Sequence, residues 1–130
     1  MRKSNVLLST MFIVVLLFCS VAFCAPAVTL SPTAIAGQDA TSQSFHIKND
    51  GAGSLTFTVA SDAAWAIPGI SFGGAATENN LVVVKYSTST LAIGTYSAII
   101  TVESLEAGNS PQTVLIELSV TSKPTIRIAP

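Results

Sequence analysis

Apolar and polar positions alternate along most of the chain after residue 25. In the segment SQSFHIKN, Phe45 and Ile47 point to one side of an extended strand and His46 points to the other. The same period of two recurs in SLTFTVAS, TYSAIITVES and QTVLIELSVT, and no stretch sustains the 3.6-residue period of an amphipathic helix. The pattern therefore predicts an all-β protein whose strands each bury one face.

The alternation also predicts which side chains form the core. The inward-facing set is Phe45, Ile47, Leu55, Phe57, Val59, Tyr96, Ala98, Ile100, Val102, Val114, Ile116, Leu118 and Val120. The segment LVVVKYST is apolar on both faces, as expected for a strand inside a sheet or against a second layer. About seven short strands, separated by turn signals such as DGAG, predict an immunoglobulin-like β-sandwich with two sheets stacked about 10 Å apart.

The first 24 residues have a different pattern. A short basic stretch is followed by the apolar run VLLSTMFIVVLLFCSVAF and by the small-residue stretch CAPA. This order is typical of a secretory signal peptide, so we expect residues 1–24 to be removed before Ala25, although cleavage before Val28 also fits. A retained anchor needs about 20 apolar residues, and a Ser-Thr pair interrupts this run. Lipid attachment at Cys24 is a further alternative, which the bulky Phe23 disfavours. The predicted location is extracellular, cell-surface or periplasmic.

Composition limits the function of the mature chain. Both cysteines, Cys19 and Cys24, lie in the segment predicted to be removed, so a hydrophobic core without disulfides must hold the domain together. Removal of Arg2 and Lys3 leaves four Lys and Arg against seven Asp and Glu, a net charge of −3. These charges are scattered, and no basic face suits a phosphate backbone or an anionic lipid surface. We therefore expect no nucleic-acid partner and no membrane partner after cleavage.

Three segments resemble the BACON family of immunoglobulin-like modules in bacterial secreted and surface proteins. They are KNDGAGSLTFTVASDAAW, GTYSAIITVES and NSPQTVLIELSV, within a resemblance that covers residues 28–121. Its most specific part pairs Gly94-Thr95-Tyr96 with Asn109-Ser110-Pro111 one hairpin later, and Gly73-Gly74 also fits. The resemblance implies an extracytoplasmic module, often beside enzymatic or adhesive domains, for which carbohydrate binding is the activity usually proposed.

The least regular stretch, residues 61–80, contains the candidate ligand-binding residues Trp65, Phe72, Asn79 and Asn80. Sugar-binding modules often stack an exposed aromatic ring on the apolar face of a sugar, and the other three candidates lie in the same irregular stretch as Trp65. A polysaccharide or glycan is therefore a predicted partner. In the alternative, Trp65 fills the core, because a tryptophan buries about 150–250 Å² and three alanines around it favour tight packing.

No arrangement of residues points to catalysis, a metal or a cofactor. His46 is the only histidine, and it is predicted to face outward among polar side chains. Glu103 and Glu106 are close in sequence, but they flank a hairpin connection with no sign of a cleft between them. The sequence has no His/Cys cluster and no Asp-rich calcium loop. We therefore expect a protein that is not an enzyme.

Two further features indicate contacts with other domains. The segment APAVTLSP at residues 25–32 resembles KPTIRIAP at residues 123–130, an offset of 98 residues and about one immunoglobulin-like domain. We therefore expect a domain at 25–122, followed by a linker or by the first strand of a truncated second repeat. Such a repeat makes a structural spacer or adhesin array the alternative function.

Ile99 and Leu115, predicted to lie diagonally across the last hairpin, would form a small apolar patch for a neighbouring domain or ligand.

Overall fold

Nine β-strands in two sheets, and no helix, make up the part of the chain that the computed structural model describes, residues 25–75, 79–123 and 128–129. The strands are β1 (Val28–Ser31), β2 (Ala34–Gln38), β3 (Ser42–Asn49), β4 (Leu55–Ser61), β5 (Ala66–Pro68), β6 (Phe72–Ala75), β7 (Asn80–Tyr86), β8 (Gly94–Glu103) and β9 (Gln112–Val120). The predicted immunoglobulin-like β-sandwich is confirmed. The predicted signal peptide and most of the predicted repeat strand lie outside the described residues.

The two sheets have four and five strands. Their orders are β1-β3-β7-β5 and β2-β9-β8-β4-β6. Neighbouring strands are antiparallel except for β2 and β9, which run parallel. The consecutive strands β5 and β6 belong to different sheets, so the chain crosses from one layer to the other at residues 69–71.

The core lies between the inner faces of the two sheets. Of the side chains predicted to face inward, only Tyr96 is not fully buried; it is half-buried and packs against the edge of the core. β7 adds Val82 and Val84, each 0 % exposed, to this layer. Full burial of one such aliphatic side chain contributes about 1.5–3 kcal/mol relative to exposure. The alternation read from the sequence therefore identifies the side chains that hold the domain together.

Three of the nine strands carry no clear sequence signal. β2 buries only one large side chain, Ile35, and its remaining positions are small or polar. β5 has three residues and ends in a proline, and β6 has the sequence FGGA. Such short strands lie at sheet edges, where few ladder hydrogen bonds are needed. The sequence therefore predicted about seven strands where the described residues form nine. Two of the additional strands, β5 and β6, lie in the stretch 61–80 that was predicted to be irregular.

The two glycines of β6 have different surroundings. A Cβ atom at Gly73 would lie 2.7 Å from Cζ of Phe57, whose ring is buried beneath the strand. A Cβ atom at Gly74 would meet only the carbonyl oxygen of Leu55, at 3.6 Å. Gly73 therefore lets the edge strand approach the core, whereas Gly74 faces open space.

The chain enters and leaves the sandwich at opposite ends. At the entry end, the amide of Val28 donates to Oδ1 of Asn109 at 2.9 Å, and Nδ2 of Asn109 donates to the carbonyl of Val28 at 2.8 Å. Asn109 lies in the connection that precedes β9, and β9 then runs for nine residues to Val120 at the exit end. At about 3.3 Å per residue, the two ends are about 30 Å apart.

Asp39 anchors the chain at the exit end. Its carboxylate accepts hydrogen bonds from the amide of Thr121 at 2.7 Å, from the hydroxyl of Thr121 and from the amide of Ser122 at 3.3 Å. Its own amide donates to the carbonyl of Ser119 at 2.8 Å, which extends the pairing of β2 and β9. Asp39 has a φ of 49°, a left-handed conformation that Asp and Asn adopt more readily than most residues. The hydrogen bond from the Thr121 hydroxyl lowers the pKa of Asp39.

We predict that Gly73→Ala destabilises the domain by about 1–3 kcal/mol, because the added methyl group overlaps the buried ring of Phe57. Gly74→Ala is the matched control, since it makes the same chemical change one residue away, where space is open. We expect it to alter the free energy of unfolding by less than about 0.5 kcal/mol. Urea unfolding of both variants measures the difference, and equal effects would contradict the account of β6.

We predict that Asp39→Asn lowers stability at pH 7 and that this difference disappears in acid. A carboxylate with a lowered pKa stabilises the fold above its unfolded value of 3.8, and this contribution is lost as the pH falls through the folded pKa. Asparagine keeps the size and the tolerance of left-handed backbone but carries no charge. Thermal unfolding of both proteins from pH 7 to pH 2 tests this. A melting-temperature difference that stays constant across the range would show that the charge is not involved.

Candidate functional site

A groove of about 690 Å³ opens on the outer face of the five-stranded sheet, near the entry end. Its floor and walls come from β4, β6 and the connection between β8 and β9. The side chains and backbone that shape it include Thr56, Thr58, Phe72, Gly74, Glu103 and Leu105. Three segments that are far apart in sequence therefore meet here.

Phe72 presents its ring to solvent at one side of this groove. The side chain is 77 % exposed, although phenylalanine is normally a core residue. Strand alternation directs Phe72 and Gly74 outward and Gly73 inward, and β6 pairs Phe72 with Thr58 and Gly74 with Thr56. Because Gly74 has no side chain, the floor beside the ring stays open. The groove thus has an aromatic platform with empty space next to it.

Hydroxyl groups and the carboxylate of Glu103 line the groove that holds the platform, and the carboxylate of Glu106 is hydrogen-bonded to two of these hydroxyl groups. The hydroxyl of Thr56 donates to the two carboxylate oxygens of Glu106 at 2.8 and 2.9 Å, and the hydroxyl of Ser104 donates to Oε2 at 2.9 Å. These bonds, led by the one from Thr56, lower the pKa of Glu106 and tie the β8–β9 connection to β4. Glu103 lines the groove, and its carboxylate has no hydrogen-bond or ion-pair partner among the described residues.

A groove lies beside Glu103, but Glu106 is not among the residues that line it, so the expectation that no cleft lies between these two carboxylates stays a prediction. Glu103 ends β8 on the outer face, and its cross-strand neighbour Thr58 is itself paired with Phe72. The edge strand β6 and the exposed side chain of Leu105 form the two walls of the groove on either side of Thr58 and Glu103. This relief arises from strand pairing across more than 40 residues, and the local pattern of residues 103–106 contains no sign of it.

Trp65 lies at the exit end and packs against the core. It is partly buried, and its ring makes edge-on contacts with Tyr86 and Tyr96 at centroid distances of 5.6 and 6.2 Å. Its carbonyl accepts a hydrogen bond from the amide of Ser87 at 2.8 Å. Tyr86 donates from its hydroxyl to Gln43 at 2.8 Å, and burial raises the pKa of Tyr86 to about 12. These contacts agree with the alternative in which Trp65 fills the core.

The structure does not bring the four predicted ligand-binding residues together. Trp65 lies beside the end of β7, whereas Asn80 begins that strand, so the two are about 20 Å apart along it. Asn79 is exposed, and Asn80 is half-buried opposite Ile47 in the four-stranded sheet. Only Phe72 lies in the groove. The other three residues do not line this groove, and a ligand contact at any of them stays a prediction.

The small apolar patch predicted on the last hairpin is present. Ile99 and Leu115 are 44 % and 40 % exposed on the outer face of the five-stranded sheet. They are paired directly across β8 and β9 and are not diagonal neighbours as predicted. His46 is exposed on the outer face of the other sheet, as its alternation indicated.

Nowhere in residues 25–75, 79–123 and 128–129 do three His, Cys, Asp or Glu side chains come close enough together to hold a metal ion. The same residues contain no helix with the length and apolar character needed to cross a bilayer.

Comparison with known proteins establishes the fold. No family model matches the sequence, and no curated protein is similar to it. Among solved structures, the periplasmic chaperone SfaE aligns with a TM-score of 0.60 and 11 % identity over 75 % of this chain and 59 % of that chain. The chaperone–tip adhesion subunit complex CsuC–CsuE of Acinetobacter baumannii aligns with a TM-score of 0.63 and 11 % identity, over 73 % and 52 %.

A third similar structure is an enzyme acting on a polysaccharide. The GH5 xyloglucanase of Bacteroides ovatus, in complex with an XXXG heptasaccharide, aligns with a TM-score of 0.54 and 16 % identity over 82 % of this chain and 21 % of that chain. The chain thus spans little more than half of the chaperone structures and about a fifth of the enzyme. Across all three proteins, what is shared with this chain is the immunoglobulin-like β-sandwich.

Proposed function

We propose that this chain is a non-catalytic, extracytoplasmic module of the BACON family that binds a glycan in the groove beside Phe72. The observation that carries the proposal is the exposed ring of Phe72 above an open floor, with carboxylate and hydroxyl groups within the same groove. Trp65, for which the sequence left both a stacking role and a core role open, serves in this proposal to pack the exit end of the core.

The chemistry of the groove suits a sugar ring. A pyranose has an apolar face of C–H groups and a rim of hydroxyl groups, so it needs both an aromatic surface and hydrogen-bond partners. Phe72 offers the surface, and Glu103, Thr58 and Ser110 lie along the same groove. About a fifth of a xyloglucanase chain has the same fold as this chain, and that enzyme was solved in complex with a heptasaccharide. This similarity supports an accessory role beside an enzyme.

The state of Glu106 supports a binding role over glycoside hydrolysis. Hydrolysis needs one carboxylic acid with a raised pKa that protonates the leaving oxygen. Two hydroxyl groups donate to Glu106 and lower its pKa, so this carboxylate stays ionised and accepts hydrogen bonds. Glu106 is therefore poorly suited to be the proton donor of a hydrolase.

Export is supported by two independent features. The amino-terminal 24 residues have the pattern of a secretory signal peptide. Two of the structures with the same fold belong to chaperone systems, one of them described as periplasmic. A module outside the cytoplasm is in contact with the polysaccharides of the cell's surroundings, which is where glycan binding has a use.

The positions of the two chain ends favour a second function, that of a spacer in a tandem array. Val28 is held at the entry end by Asn109, and Thr121 is held at the exit end by Asp39. Consecutive copies connected through these points would follow one another end to end. In this alternative the domain extends a neighbouring domain away from the surface and binds no ligand of its own.

We predict that Phe72→Ala weakens binding to a polysaccharide by about tenfold, about 1.4 kcal/mol, because the stacking surface is lost. Affinity electrophoresis against a panel of soluble plant and bacterial polysaccharides would measure it. Ile93→Ala is the matched control, since Ile93 is 67 % exposed at the exit end, away from the groove. Trp65→Phe keeps an aromatic ring in the core packing and should retain binding. If Trp65→Phe abolished binding and Phe72→Ala did not, the ligand would lie at the exit end.

We predict for the spacer alternative that two tandem copies of residues 25–122 have about twice the maximum dimension of one copy, because entry and exit lie at opposite ends. Small-angle X-ray scattering measures this dimension. A tandem protein that folds back to a dimension close to that of one copy would contradict the end-to-end arrangement.

A further inference from the structure

We infer that the groove selects uncharged glycans and rejects acidic ones, such as those that carry uronate or sulfate groups. This inference rests on the proposed binding of a glycan beside Phe72, and it names the class of glycan. It follows from the charges around the groove and from the positions of the cations elsewhere in the molecule.

The groove presents negative charge without compensation. Glu103 lines it, and no described residue donates a hydrogen bond or an ion pair to its carboxylate. Glu106 lies in the same connection and is held ionised by the hydroxyl groups of Thr56 and Ser104. A sugar hydroxyl can donate to the Glu103 carboxylate, which favours a neutral ring at this position.

The described cations lie away from this groove. No Lys, Arg or His is among the residues that line it. Lys48 forms an ion pair with Asp50, and Lys48 and Lys85 both face outward from the four-stranded sheet, on the other side of the sandwich. Lys123 follows the last strand at the exit end. An acidic group in the groove would therefore meet Glu103 with no described positive charge beside it.

Like charges a few ångströms apart repel, and the repulsion is strongest where solvent and salt screen them least. An acidic sugar stacked on Phe72 would place its carboxylate or sulfate within reach of Glu103, since both line one groove. A neutral sugar of the same shape meets no such repulsion. The expected discrimination is about tenfold at low ionic strength, and it should decrease as salt is added.

Matched pairs of polymers that share a backbone test the inference. The full chain is titrated against hydroxyethylcellulose and carboxymethylcellulose, and against methyl-esterified and unesterified polygalacturonate, at low and high salt. We expect binding to at least one neutral polymer and about tenfold weaker binding to its acidic counterpart. Equal binding within a pair, or tighter binding of the acidic polymer, overturns the inference and leaves the proposed glycan binding intact. Binding to none of the four polymers counts against the proposed function itself and removes the inference with it.

A charge-neutralising variant locates the effect. Glu103→Gln keeps the size of the side chain but removes its charge, so the preference for the neutral polymer over the acidic one should decrease severalfold. The hydrogen bond to a neutral sugar weakens, and the repulsion of an acidic sugar is lost, so binding of the acidic polymer strengthens. Glu117→Gln is the matched control, because Glu117 is exposed on the same sheet face but lies about 20 Å from Glu103 across the strand rows. If both variants strengthen acidic binding equally, net charge and not the groove sets the preference, and the inference fails.

Discussion

The packing of the two inner sheet faces against each other is the interaction on which this structure depends. No cysteine follows Cys24, so no disulfide can hold residues 25–130 in place of the core. About 20 buried side chains form one cluster between the sheets, and central members such as Phe45, Ile100 and Leu118 are 0–1 % exposed. Because strand side chains alternate, fixing the inner set also fixes every outward position. The surface that this protein offers to a ligand is therefore a consequence of its core.

The groove shows how the core and the surface are coupled at a sheet edge. Phe57 belongs to the core, and its ring extends beneath β6, where Gly73 leaves room for it. The neighbouring positions of the same short strand, Phe72 and Gly74, face outward and give a ring and an empty place beside it. The four-residue strand β6 thus covers one side of the core and forms one wall of the groove. A larger residue at either glycine would disturb one of these two roles.

The sequence predicted those parts of the fold in which the residue type at each position indicates whether its side chain is buried or exposed. In β3, β4, β8 and β9, strict alternation identified the buried face and, from it, the sandwich. β2, β5 and β6 were missed, because small residues, a proline and two glycines carry no period. The groove was missed because it needs Phe72, Thr58 and Glu103 to meet across two strand pairings. The sequence left both a binding role and a packing role open for Trp65, and its contacts with Tyr86 and Tyr96 are those of a packing residue.

The proposed glycan site lies on the outer face of the five-stranded sheet beside Phe72. The most direct test is a titration of the ¹⁵N-labelled protein with a neutral oligosaccharide, followed through the backbone amide chemical shifts. We expect the largest shifts on β4, β6 and residues 103–111, with little change around Trp65, Asn79 and Asn80. Shifts concentrated at the exit end around Trp65, with β6 unaffected, would contradict this proposal.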